Sequence, residues 1–352
     1  MGYSLAEIAA ALGARTLGDA SLIVARIAEP GEAGPGDLAL AVAPGFADQL
    51  TRSRARAAMV WDGADLSQLG LDGAIVVPRG RLAMAGLTAM MDDAPAFAGL
   101  SGHHASAVID PSAQVGAGTV IAPFAVIGPG VRIGAGARIG PHVSIAAQTT
   151  IGDGAVLHAG VRIGPRVRIG AGFIAQPGAV VGGDGFSFAT AGPSNVERAI
   201  RRRGDDPLAP PDDHAWHRIH SLGGVEIGDD VELGANATVD AGTIRATRVG
   251  SGCKIDNLCQ VGHNVVLGRD CLMAAQAAVA GSTRIGDRVI LGGKSGVADN
   301  LTIGRDVVVG GGAIVLGSLG DGLFVTGNPA RPAHEDRAAR KALLRLMRRD
   351  GA

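Results

Sequence analysis

The sequence predicts a mainly β protein, a parallel β-helix solenoid with a small α/β domain before it and a helix after it. Three observations carry this. An aliphatic residue, once an alanine, stands at every sixth position from Ile109 through Ile121, Ile133, Ile145 and Leu157 to Val181. The same spacing returns from Ile227 to Val239, pauses for four residues, and runs on from Val249 to Val315. Gly, 56 of the 352 residues, or another small residue commonly follows the aliphatic one. A period of six is neither the 3.6 of a helix nor the alternation of a plain strand. It is what a short strand and a corner give when they recur three times per coil, so eighteen residues complete one coil. Coils stack as parallel strands about 4.8 Å apart. Residues eighteen apart in the chain therefore form columns.

Residues 1–100 lack the hexad. Ser4 reads as an N-cap with Glu7 three residues on, opening a helix from Leu5 that Gly13 stops. Short β-type runs follow at Leu22–Ile27, Leu38–Val42, Ala57–Trp61 and Ala74–Val77, then a helix near Arg81–Met91. The solenoid is expected over 101–330. Its hexad is lost at 182–224, where a polar, mixed-charge stretch with Arg201, Arg202 and Arg203 reads as a solvated loop, with phosphate binding as the alternative. Residues 331–352 are expected to hold a terminal helix, His334–Arg349. Its apolar side is Ala338, Ala339, Leu343, Leu344 and Met347, and Arg337, Arg340, Lys341, Arg345, Arg348 and Arg349 lie outside.

Composition removes several function classes. A net charge of -1 gives no global reason to bind nucleic acid, and one Tyr, two Trp and seven Phe are too few for a base-stacking platform. No apolar run approaches the roughly 18 residues of a membrane span, so no stable membrane insertion is expected. The opening residues carry neither a basic, apolar leader nor a myristoylation signal, and a cytoplasmic protein is expected. Cys253, Cys259 and Cys271 read as small corner residues. No metal site is expected, since the second repeat run holds one histidine, His263, where a shared zinc site needs three.

His263 stands two residues after the inward Val261, a position that alternation points outward, beside Asn257, Gln260 and Asn264. One coil on, the column rule puts Gly281, whose backbone N–H would face an oxyanion. A base and an oxyanion donor in one cleft suit acyl transfer. There is no Gly-x-Ser-x-Gly elbow and no Cys beside a base, so direct attack by a substrate amine or hydroxyl is expected.

Several segments carry a resemblance: the Leu5–Gly13 opening, 122–128, Gly182–Phe188, 226–236, Ile255–Val265 and Gly327–Pro332. Together they resemble the UDP-3-O-acylglucosamine N-acyltransferases, hexapeptide-repeat enzymes of lipid A biosynthesis. The resemblance implies a left-handed coil and a uridine-binding N-terminal domain. It also implies transfer of a 3-hydroxyacyl chain from acyl carrier protein to the 2-amine of a UDP-glucosamine acylated at O3. No cofactor is implied beyond the acyl thioester as co-substrate. The family's base falls on His263, its oxyanion donor on Gly281 and its acidic support on Asp256. Asn300 stands where a second histidine is common, and Leu40, Ala43 and Phe46 where Phe, Asn and Tyr commonly meet the uracil. Asp240, Asn257, Gln260 and Asn264 complete the expected substrate contacts, and Ile314 falls where the acyl chain is stopped.

A homotrimer is expected, because a prism face offers no pocket without a second wall. Arg337, Arg340, Lys341 and Arg345 are the expected docking site for the acidic carrier protein. The competing readings are a sugar O-acyltransferase, an acetyl-CoA-dependent N-acetyltransferase and a non-enzymatic scaffold. The N-terminal domain argues against the O-acyltransferase of the same pathway, whose resemblance would begin at the first coil.

Overall fold

The computed structural model of the protein describes residues 2–92, 97, 99–201 and 215–350. The chain divides into two units, Met1–Pro95 and Ala96–Ala352.

In the first unit a five-stranded sheet runs in the order Arg15–Gly18, Gly73–Val76, Ala57–Val60, Asp37–Ala41, Arg26–Ala28, antiparallel only at its first pair. The strand at Arg15–Gly18 carries no β-type run in the sequence; it forms because its backbone pairs with Gly73–Val76. Both faces are covered. Leu38, Met59 and Ile75 pack with Leu5, Ile8 and Leu87 on one face, while Ala39, Ala58 and Val76 pack with Leu50 and Leu69 on the other. The first helix, Leu5–Leu12, has the expected capping box: Glu7 N–H donates to Ser4 Oγ at 3.2 Å and Ser4 N–H to Glu7 Oε2 at 2.7 Å. Gly13, at φ 59°, ends it in the left-handed conformation that glycine adopts without strain.

The second unit is a three-sided parallel β-helix with sheets of eleven, ten and nine strands. Partners lie one coil apart, as in Ile127 with Ile145, Ile133 with Ile151 and Ile139 with Leu157. Both interruptions are absorbed without loss of register. Ile169 pairs with Ile227 across the excursion, and Ile227 with Val249 across the four-residue pause. The hexad aliphatics from Ile121 to Val315 fill the prism together with a second inward set that includes Val131, Val143, Val161 and Phe173. Cys253, Cys259 and Cys271 belong to that set, buried and free.

The excursion carries secondary structure on both sides of the mixed-charge stretch read as a solvated loop, which from 202 to 214 lies outside the described residues. Phe188–Ala189 pairs antiparallel with His217–Arg218, and Asn195–Arg201 is a helix whose Ser194 and Glu197 exchange capping bonds. Arg202 and Arg203 lie outside the described residues. The last helix spans Ala333–Asp350 and touches the strands Phe324–Thr326 and Arg331–Pro332. Among the described residues no helix is long and apolar enough to cross a membrane.

Candidate active site

Two departures from the regular coil meet on the ten-stranded sheet. The strand Val180–Asp184 runs longer than its neighbours and bulges where Gly183 pairs with Asp240, before the chain leaves for the excursion. One coil later the pause at 240–246 lifts the chain off the prism. The two irregularities frame a groove of about 630 Å³. His263, Asp240, Gln260, Asp184 and Phe186 line its polar end, and Ala278, Gly296, Ala298 and Ile314 carry it across the next coils.

His263 is wedged on both sides. A side chain on Gly185 would come within 2.6 Å of the His263 Cβ, and one on Gly281 within 2.7 Å of its Nε2 and Cε1. Glycine is therefore required at both places for the imidazole to sit where it does. Gly185 is held by its N–H, which donates to the buried Ser221 hydroxyl at 2.9 Å. At the matching corner of other coils, Ala135, Ala171, Arg269 and Arg305 donate their N–H to an aspartate of the next coil at 2.7–3.0 Å. Gly281 N–H has no acceptor among the described residues, and Gly281 lines the groove. A backbone donor beside a histidine suits a developing oxyanion.

Asn264, an expected substrate contact, is 8 % exposed and bonded within the chain. Its Oδ1 lies 3.0 Å from His263 Nδ1 and accepts from Thr243 N–H at 3.1 Å and Thr243 Oγ1 at 3.0 Å. Its Nδ2 donates to the Arg245 carbonyl at 3.0 Å, and its own N–H to Thr247 Oγ1 at 2.8 Å. Gln260 Nε2 donates to Asp240 Oδ2 at 2.9 Å, and the Thr238 hydroxyl holds the Gln260 carbonyl oxygen. Burial pushes the Asp240 carboxyl above the usual carboxylate range, opposed by the Gln260 hydrogen bond and by His263.

The other expected residues fall elsewhere. Within one chain Asp256 does not reach His263: its carboxylate accepts from Asn257 N–H at 2.7 Å and Ala275 N–H at 3.0 Å. Asp256 follows Ile255 of the eleven-stranded sheet and His263 follows Val261 of the ten-stranded one, since six residues turn the chain onto the next face. Asn257 shares that other face, where its Oδ1 accepts from Ala235 N–H at 2.7 Å; with Asp256, Lys254 and Leu272 it lines a separate groove of about 420 Å³. Asn300 turns its Nδ2 to Asp299 Oδ2 at 2.7 Å and is exposed; only its N–H reaches toward the site, donating to Gly281 O at 3.1 Å. Leu40 and Phe46 belong to the first unit and pack against clusters on opposite faces of its sheet. Arg337, Arg340, Lys341 and Arg345 are exposed on the last helix, Arg340 held by Asp336 at 2.8 Å. Among the described residues no three His, Cys, Asp or Glu side chains gather as a metal site. Asp184 and Phe186 were missed as site residues, although the loss of the hexad after Val181 marks their segment.

A hexapeptide coil with a histidine beside an open backbone N–H defines the class of hexapeptide acyltransferases. The family model described as bacterial transferase hexapeptide (six repeats) matches residues 112–147 and 130–165, and that of the hexapeptide repeat of succinyl-transferase matches 224–257 and 282–317. Two relatives are named UDP-3-O-acylglucosamine N-acyltransferase and are more than half identical. That of Ruegeria pomeroyi is 56 % identical over 79 % of this chain and 76 % of its own, and that of Paracoccus denitrificans 55 % over 80 % and 76 %. One so named from Pseudomonas aeruginosa is 36 % identical over 80 % and 73 %. The chain belongs to the UDP-3-O-acylglucosamine N-acyltransferase family. An Arabidopsis UDP-N-acetylglucosamine acyltransferase structure, 22 % identical, matches 68 % of this chain and 77 % of its own at a TM-score of 0.54 and shares the left-handed parallel β-helix.

Proposed function

We propose that the protein moves a 3-hydroxyacyl chain from acyl carrier protein to the 2-amine of UDP-3-O-(3-hydroxyacyl)-glucosamine, a step of lipid A assembly, with His263 as general base. The observation that carries this reading is the groove itself: an imidazole and an uncapped Gly281 N–H at one end, and a run of small residues ended by Ile314 leading away. The relatives' name supplies the sugar nucleotide. In this scheme the amine nitrogen attacks the thioester carbonyl while His263 Nε2 takes its proton, and Gly281 N–H receives the oxyanion. Collapse breaks the C–S bond, and the imidazolium returns the proton to the departing thiolate. The chemistry needs no cofactor.

Four further parts belong to the proposal. The groove lies open on one prism face, so a second subunit of a homotrimer supplies the other wall. The basic last helix docks the carrier protein, and the site of action is the cytoplasm, where a soluble donor is met. Phe46 of the first unit serves the uridine. Replacing His263 by Ala tests the central claim: kcat should fall roughly 10²-fold or more, the usual scale of a positioned general base. A variant within a few-fold of wild type would remove His263 from the chemistry, and equal turnover with acyl-CoA would remove the carrier-protein donor.

A further inference from the structure

Asn264 is buried at a corner that several other coils leave to solvent. Asp270, Asn300 and Asp306 sit at comparable corners, all at positive φ, and all are exposed. Asn264, at φ 62°, is buried because the pause at 240–246 folds Thr243 and Arg245 across it. Those partners leave the amide one orientation. Thr243 N–H can only donate, so it must face Oδ1; the Arg245 carbonyl can only accept, so it must face Nδ2. Oδ1 is therefore the atom 3.0 Å from His263 Nδ1, and an oxygen without hydrogens there requires Nδ1 to be the donor. In neutral imidazole the lone pair is then on Nε2, the nitrogen against Gly281 and the groove.

We propose that Asn264 is a positioning residue that, together with Thr243 and Arg245, locks His263 in the Nδ1–H tautomer with Nε2 ready to take the acceptor's proton. The inference rests on the reading of His263 as the base. Asn264 supports the base without a formal charge. Among the described residues the carboxylates that line the groove with His263 are Asp240 and Asp184, the latter 3.9 Å from Arg218.

Nitrogen NMR of the full-length wild-type protein with ¹⁵N-labelled histidine reads the tautomer without any turnover. The neutral His263 ring should show a protonated Nδ1 and a bare Nε2; the opposite pattern would overturn the proposal. Asn264→Gly keeps the left-handed backbone unstrained and removes only the amide. Its kcat should fall roughly 10- to 100-fold, the scale on which supporting hydrogen bonds of a reactive group act, with the acceptor KM nearly unchanged. Asn264→Asp restores an oxygen opposite Nδ1 and should recover part of that loss, with the acid limb of the pH–rate profile moved to higher pH because a carboxylate favours the imidazolium. A Gly variant with kcat within a few-fold of wild type and an unmoved profile would sink the assignment. A His263→Ala enzyme that stayed active would remove the base reading and leave the tautomer result standing, so the two failures are distinguishable.

Discussion

Asp240 holds its proton more tightly in the folded protein than in the unfolded chain, because burial raises its carboxyl more than Gln260 and His263 lower it. For a raised carboxyl the sign is unfavourable: the unfolded chain ionises first, so stability falls as pH rises from the ordinary aspartate range through the folded pKa. Asp240→Asn removes that loss. At neutral pH it should melt higher than wild type, and the difference should vanish in acid. The acceptor KM should rise, because the amine loses the carboxylate at its end of the groove. A variant that melts lower at every pH would show that the carboxylate is held for the fold. At this scale the column rule set Gly281 one coil beyond His263, and the two line one groove with Gln260, read from its nearness in the chain, and with Ile314, reached only through the family resemblance. Within one chain Asp256, placed by the resemblance, and Asn257, placed by its nearness to His263 in the sequence, lie on another face, because six residues turn the coil. The role of Asn264 was hidden because its partners belong to a segment without a repeat.

In the proposed reaction one coil would be the element that measures the acyl chain. Gln260, Ala278, Gly296 and Ile314 are consecutive members of one outward column, each registered on the next. Ile314 Cδ1 would stand 3.2 Å from a side chain on Gly296, so the isoleucine leans over the glycine below it and closes the run of small residues. Each coil adds about 4.8 Å, roughly four methylenes of an extended chain, and removing the isoleucine should open about that length. Ile314→Gly is expected to shift the preferred donor toward chains about four carbons longer, measured as kcat/KM across a series of acyl carrier protein thioesters; an unchanged preference would place the stop elsewhere. The coils themselves were readable because every one repeats the same instruction, an inward aliphatic followed by a small residue at the bend. In the first unit the runs at Leu38, Ala57 and Ala74 gave buried strands for the same reason, local apolar continuity. Arg15–Gly18 has no such pattern, and pairing with Gly73–Val76 made it a strand. The helix Asn195–Arg201 carried its own capping pair, Ser194 and Glu197, inside a stretch whose charge suggested only solvent.

For the whole molecule the open question is what covers its exposed apolar surface and what its basic end attracts. On the eleven-stranded sheet Leu272, Ile290, Val308 and Phe324 form an outward column, and Leu272, Ile290 and Phe324 are 42–50 % exposed. On the last helix Leu343, Leu344, Leu346 and Met347 are exposed as well. Patches of this kind call for a partner, and in the proposed homotrimer three copies of the helix would cover one another at a single end. Their exposed Arg337, Arg340, Lys341 and Arg345 would then combine into one positive field, which speeds the approach of an acidic carrier protein more than it tightens the bound complex. Arg340 is a poor probe of that field because it is already bonded to Asp336 within the helix. Reversing Lys341 and Arg345 to Glu should raise the apparent KM for acyl carrier protein roughly 3- to 10-fold at low salt, with wild type and variant converging as added salt screens the charges. The KM for the nucleotide sugar should stay where it was, and light scattering should give three times the chain mass for both proteins. Loss of that mass in the variant would mean that these residues hold subunits together, and an unchanged donor KM at low salt would move the docking surface off this helix.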